Sequence, residues 1–324
     1  MIPLPESNPL HKTRFTPDCK MESTAEASRL RSFFLAEKSV RGVILDGTIL
    51  VREMQIRHDF GPLETQILGQ ALLVTSLMAS TLKGRDQISL RIDCSGPVKG
   101  LVTEATANGE VRGYLQKSPI ALASPLAALD EAERLNPCWG DGLLTINRYL
   151  NEGRQPFSGC LTLQSGHIAS EVARYYLLSE QIPTAIHLSL FFDIHGRVSG
   201  AGGLLIQALP GAGEKMMADL EQMTNSLPSL GQALAEGWQI GPWLSRQFAL
   251  FTPETLEERA VRFRCRCDAR RMHLLLLHLP LADLEEMRDN GPFPIQAGCH
   301  FCNEKYLFTQ KSLAELCREK EFSK

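Results

Sequence analysis

Four cysteines near the C-terminal end constrain the fold most. Cys265 and Cys267 stand one residue apart in VRFRCRC, and Cys299 and Cys302 stand two apart in GCHFCNEKYLF. Side chains alternate between the faces of a strand. If VRFRCRC is extended, Val261, Phe263, Cys265 and Cys267 share one face and Arg262, Arg264 and Arg266 the other. A CxC pair alone is a weak signal, because cysteine is often a small buried hydrophobe. The CxxC knuckle adds two sulfurs aimed inward. Two such pairs separated by a substantial insert form the donor set of a tetrahedral zinc site. The expectation is therefore one zinc per chain on Cys265, Cys267, Cys299 and Cys302; an iron–sulfur cluster or four unligated thiols are the alternatives that the residues leave open.

The insert, DARRMHLLLLHLPLADLEEMRDNGPFPIQAG, reads as helices broken at Pro280 and stopped at Gly291. So small a segment has little core, and metal binding would supply much of its folding free energy. His273 and His278 flank a leucine run and His300 lies inside the CxxC loop; all three read as residues other than ligands. Cys317 reads as a packing cysteine in a terminal helix capped by Thr309. Four thiolates around a divalent ion leave a net charge of about −2, which Arg262, Arg264, Arg266, Arg270 and Arg271 can offset while also solvating an exposed face. Oxidation of zinc-bound thiolates would remove the ligands, so a structural site and a redox switch use the same residues.

Upstream, the chain alternates short β-rich runs with hairpin-like turns. In ISLRIDC, Ile88, Leu90 and Ile92 alternate with polar neighbours. LETQILGQALLVTSLMASTLKG has the composition of a buried helix, and SGHIASEVARYYLLSEQIP that of a second one ending before Pro183. The fold class is α+β. Residues 1–30 read as a flexible extension carrying Cys19, 31–210 as an N-terminal α+β domain, 211–258 as a helical linker and 259–324 as a small zinc-binding domain. Within the linker, Met216, Leu220, Met223, Leu227, Leu230 and Leu234 share one helical face, with Pro228 as an interruption and Asn225 or Ser226 as a cap. Two ordinary docked helices and a detachable cover both fit that stripe.

The remaining signals exclude more than they assign. Of 324 residues, 44% are hydrophobic, which argues against a disordered chain. A net charge of −3 argues against a dedicated nucleic-acid binder, although the arginine row keeps a nucleic-acid or ribosome-associated zinc protein as the alternative. No run is long enough for a membrane helix and no signal peptide is evident, so the expected location is the cytoplasm. GAGG at 200–203 lacks dinucleotide-fingerprint spacing and reads as a turn or a close backbone approach. No catalytic triad or phosphate loop appears, and the chain does not read as an enzyme.

From about Ser32 onward the sequence resembles the Hsp33 family of redox-regulated chaperones. The resemblance rests on CRC, about thirty residues and then CHFCNEKYLF, together with VRG at 40–42, LGQALLVTSLMASTLKG at 68–84, GPVKGLVTEA at 96–105, GEVRGYL at 109–115, SEQIPT at 179–184 and AGGLLIQALPG at 201–211. The resemblance implies a substrate-binding α+β domain, a metastable helical linker packed over it, and a C-terminal domain that holds zinc when reduced. It further implies disulfides within Cys265–Cys267 and Cys299–Cys302, zinc release on oxidation, and ATP-independent binding of unfolding client proteins, with dimerisation of the active form. It assigns no role to Cys19.

Overall fold

A computed structural model of the chain describes residues 27–121, 135–150 and 155–322. The expected extension, up to residue 26 and including Cys19, lies outside them. The chain divides into two compact units, a larger one that ends at Arg264 and a smaller one that starts at Cys265.

The larger unit begins with β1 (Ser28–Leu35), three residues before the expected start at Arg31, and β2 (Val40–Asp46). Two helices follow, α1 (Thr48–His58) and α2 (Pro62–Met78), then β3 (Gln87–Cys94), β4 (Gly100–Thr106) and β5 (Glu110–Leu115). The short α3 (Asn136–Trp139) leads to β6 (Gly142–Tyr149) and β7 (Phe157–Thr162), and α4 (Ile168–Tyr175) to β8 (Thr184–Phe192) and β9 (Val198–Ala208). Three helices, α5 (Glu214–Asn225), α6 (Leu230–Ala235) and α7 (Ile240–Gln247), precede β10 (Glu254–Phe263). The ten strands form one sheet in the order β7-β6-β3-β4-β5-β10-β1-β2-β9-β8.

Alternation explains the strands: Ile88, Leu90 and Ile92 of β3 are all buried, as the pattern requires. The apolar run in α2 explains why nearly every residue of that helix is buried, packed against β4, β5, β8 and β9. β10 is the unexpected strand. It pairs antiparallel with β1 from Ser28↔Val261 to Phe34↔Glu254, and parallel with β5 at Arg262↔Glu110 and Phe263↔Val111. The boundary expected between residues 258 and 259 thus falls inside a strand. The low hydrophobicity of ETLEER hides it from pattern reading, since its first six residues are largely exposed and only Val261 and Phe263 are deeply buried.

One face of the sheet over β1, β2, β8 and β9 is covered by α5, α6 and α7. Phe33, Val40, Ile44 and Leu204 of the sheet pack with Met217, Leu220, Leu230, Trp243 and Leu244 of the helices. All six members of the sequence stripe belong to this cluster, Leu220 and Leu230 fully buried and the other four at its margin. The cap differs from expectation. Ser226 ends α5, and Ser229 opens α6 by accepting a hydrogen bond from the Gln232 N–H at 3.1 Å. Ser229, directly after Pro228, is placed to bond the N3 amide, as an N-cap does.

GAGG makes a close backbone approach. A Cβ on Gly200 would lie 1.9 Å from the Gly231 carbonyl oxygen, and one on Gly202 would lie 2.4 Å from Leu230 Cγ. The Gly231 N–H also donates to Ser189 Oγ at 2.8 Å. Helix α6 therefore lies almost backbone to backbone on β9, a fit that only glycine permits. Among the described residues no helix is long and apolar enough to cross a membrane.

The smaller unit comprises α8 (Ala269–Leu277), α9 (Leu281–Asn290), a hairpin of β11 (Ile295–Gly298) and β12 (Lys305–Phe308), and α10 (Gln310–Phe322). The break at Pro280 and the stop at Gly291 stand where the sequence places them. Asp268 caps α8 by accepting from the Arg271 N–H at 2.8 Å, and Thr309 caps α10 by accepting from the Ser312 N–H at 3.2 Å. Met272, Tyr306, Phe308, Leu313 and Leu316 make a small core.

Replacing Gly200 by alanine should lift α6 from β9, because the new methyl group would meet backbone rather than a movable side chain. Overpacking of this kind costs about 1–3 kcal/mol. Limited proteolysis should cleave residues 214–247 faster in Gly200→Ala than in the wild type. Gly213→Ala, where a Cβ meets nothing within 4 Å, should match the wild type. Equal cleavage in all three proteins would show that the contact does not hold the helix.

A candidate four-sulfur metal centre

The two cysteine pairs reach one point by different means. Backbone pairing of β10 stops at Phe263, and the last bond toward β5 runs from the Arg264 N–H to the Val111 carbonyl at 2.8 Å. Cys265 and Cys267 therefore lie just past the strand, in irregular backbone before α8, and not within it as VRFRCRC suggests. Burial still alternates there: Cys265 and Cys267 are half-buried while Arg264 and Arg266 are exposed. Cys299 and Cys302 sit in the turn between β11 and β12. The N–H groups of Cys302 and Asn303 both point to the Cys299 carbonyl, at 3.3 and 2.8 Å, and the Cys299 N–H donates to Glu304 at 2.9 Å. Asn303 closes the turn at φ 57°, a left-handed conformation that asparagine tolerates better than most residues.

The four sulfurs lie within 4.8 Å of one another. The closest contacts run across the pairs, Cys265 Sγ to Cys299 Sγ at 3.6 Å and Cys267 Sγ to Cys302 Sγ at 3.3 Å. All four are free thiols. Tetrahedral zinc with bonds of about 2.3 Å separates its sulfurs by about 3.8 Å, so the array has the size and softness for a single such ion. Cys302 is buried and the other three are partly covered, as in a closed structural site rather than one with an open catalytic position.

The thiols already share their protons unevenly. Hydrogen bonds from Cys299 first, and then from Cys302, hold the Cys265 thiol far below the ordinary range. Cys299 rises to about 11, chiefly through its bond to Cys265, and Cys302 is raised for the same reason. The cluster thus favours an anion at one corner before any cation arrives. Tyr306 is the participant that motif reading missed. It lies on β12 opposite Ala297, and its hydroxyl donates to Cys267 Sγ at 3.2 Å. Its phenol is pushed up by burial and by that bond. The alternation of KYLF, with Tyr306 and Phe308 inward, was the available signal.

His273 pairs with Glu319 at 2.8 Å, His278 Nδ1 lies 2.7 Å from the Leu274 carbonyl, and His300 is exposed; none joins the sulfur cluster. Cys317 is buried in α10 apart from the four. The arginines take separate roles. Arg264 pairs with Glu110 at 3.3 Å, whereas Arg271 donates to the Arg266 carbonyl at 2.6 Å and so braces the loop that carries Cys265 and Cys267.

Tyr306→Phe keeps the buried ring and removes one hydrogen bond to a sulfur of the cluster. Loss of such a supporting bond typically weakens metal affinity about 10–100-fold. Competition with a chromophoric chelator should show that loss. In the same assay Cys265→Ser should bind no stoichiometric zinc and Cys317→Ser should bind as the wild type does. Wild-type affinity in Tyr306→Phe would remove the hydroxyl from the site.

The chain as a whole is similar to known proteins. The Hsp33 protein family profile matches residues 28–309. The 33 kDa chaperonin of Desulforamulus reducens is 34% identical over 293 residues, covering 87% of this chain and 97% of its own. That of Geobacter sp. strain M21 is 34% identical over 281 residues, covering 87% and 94%. Among solved structures, the 33 kDa chaperonin of Thermotoga maritima superposes with a TM-score of 0.82 at 27% identity, covering 92% of this chain and all of its own. A profile matching most of the chain, relatives matched along nearly their whole length and a shared fold lead to one conclusion: this chain belongs to the Hsp33 family of chaperones.

Proposed function

We propose that the protein is a redox-regulated, ATP-independent holdase, which binds unfolding proteins and keeps them from aggregating under oxidative stress. The observation that carries this reading is the set of four free thiols within 4.8 Å of one another, in a unit whose own core is small. When bound, zinc would be held by Cys265, Cys267, Cys299 and Cys302 and would supply folding free energy to that unit. Oxidation removes the ligands. Each disulfide forms as two thiols give up two electrons and two protons to hydrogen peroxide, which leaves as two waters. The pairing proposed, within Cys265–Cys267 and within Cys299–Cys302, follows the family resemblance.

Chain connectivity supports coupling to the sheet. Cys265 follows the end of β10 by two residues, and α5 to α7 lead into β10 through a short link. Loss of order at Cys265 and Cys267 would thus begin beside the strand that joins both halves of the sheet. In this reading residues 211–253 act as a releasable cover. The surface beneath, with Phe33, Val40 and Ile44, would be the one offered to apolar segments of unfolding proteins. We propose that the active form pairs with a second copy and that the protein works in the cytoplasm.

Light scattering of a denaturing client tests the reading. Peroxide-treated protein should suppress aggregation several-fold more than the reduced, zinc-loaded form. Treatment should also consume four thiols and release about one zinc per chain. Peptide mapping under non-reducing conditions should recover the two local disulfides. Equal failure of both forms to suppress aggregation would end the holdase reading, and zinc retained after the four thiols are oxidised would end the switch.

A further inference from the structure

β8 is an edge strand of the sheet, and its side chains divide cleanly between two faces. Leu188 and Leu190 meet the α2 side, where Leu188 approaches Gly203 beside Leu77 and Leu190 approaches Gly69. Ala185 and Ser189 face the other way. Ala185 joins the apolar cluster with Met217 and Leu220, and Ser189 Oγ accepts the Gly231 N–H. His187 lies between Ala185 and Ser189 in register, since the irregularity in β8 falls later, between Phe191 and Phe192. It is therefore on the face that α5 and α6 cover.

Its Nε2 is sealed from solvent and has no hydrogen-bond partner among the described residues. Nor is there a compensating charge. The ionisable residues of α5, namely Glu214, Lys215, Asp219 and Glu221, and Glu236 just after α6 are all exposed, and α6 and β9 carry none. On the opposite face, Glu171 and Arg174 of α4 pair with each other at 2.7 Å. Burial alone lowers the pKa of His187. An imidazolium in this position would hold a buried donor and a net charge without an acceptor, whereas the neutral ring fits.

We propose that His187 makes the docking of α5 and α6 proton-linked, so that acid releases this cover while the four-cysteine centre stays reduced. This rests on the reading of those helices as a releasable cover and adds a second trigger to it. The sign follows from linkage. With the helices off, the half-buried His187 ring, sealed Nε2 included, is open to water and titrates near the ordinary value of about 6.5. With them docked, it titrates lower. Above about pH 6.5 neither form binds the proton and docking is unaffected. As pH falls below that value, the released form alone takes up the proton, and the ratio of docked to released falls by up to about tenfold per pH unit until the docked-state pKa is reached.

Amide hydrogen exchange across residues 214–247 tests this on the full-length, zinc-loaded protein in reducing buffer, corrected for intrinsic exchange, from pH 7.5 to 5.0. Wild-type opening should rise by up to about fivefold between pH 6.5 and 5.5, and His187→Leu should lack that proton-dependent rise. The same pH dependence in both proteins would overturn the proposal. Should His187→Leu fail to fold, the His187 ring in the wild type decides by NMR: titration well below 6.5 supports the proposal and titration at or above 6.5 overturns it. The readout is independent of client protection. A failed proton link with intact oxidative activation would sink only this inference, and the reverse pattern would sink only the redox reading.

Discussion

The larger unit depends on the covering of one apolar sheet face. Phe33, Leu35, Val40 and Ile44 cannot remain in water without cost, and the helices from Glu214 to Gln247 are what removes them from it. The fit is close where α6 meets β9, because glycine at 200, 202 and 231 lets backbone meet backbone. Such a contact has two properties at once. It is tight because no side chain intervenes, and it is small because the helix is only six residues long. A six-residue helix has little stability alone, so its order derives from the sheet it lies on. That is the physical basis on which so short a helix is well packed yet dependent on the sheet beneath it.

The small unit solves a different problem with sulfur. Its core residues surround one side of the cysteine cluster, and Cys267 and Cys299 pack against them. Hydrogen bonding within the cluster lowers the Cys265 thiol and raises that of Cys299. A divalent cation would be held by the four sulfurs, and the Tyr306 hydroxyl is placed to donate to one of them, Cys267 Sγ.

Much of this was legible in the sequence, for definable reasons. The cysteine spacing picked out the four sulfurs that the fold brings together, and the helical stripe from Met216 to Leu234 located the covering face because a period near 3.6 survives a proline break. The α+β class followed from strand alternation such as Ile88, Leu90 and Ile92. What stayed hidden depended on partners distant in sequence. β10 is a strand because β1 and β5 stand on either side, although Glu254 to Glu258 look like a charged linker. The ladder with β5 ends at Phe263, which leaves Cys265 and Cys267 outside the strand. Tyr306 and His187 matter through what surrounds them, and neither belongs to a motif.

The junction of β10 with β5 has its own consequence. Elsewhere in the sheet neighbours share long antiparallel ladders, but here two residue pairs, in parallel, join the half that contains β3 to β7 to the half that contains β1, β2, β8 and β9. The ten strands are therefore two leaves sewn by a short suture. The suture ends two residues before Cys265, the first of the four clustered cysteines, with only Arg264 between them. A disturbance that starts at Cys265 meets the least reinforced line of the sheet before it meets any other.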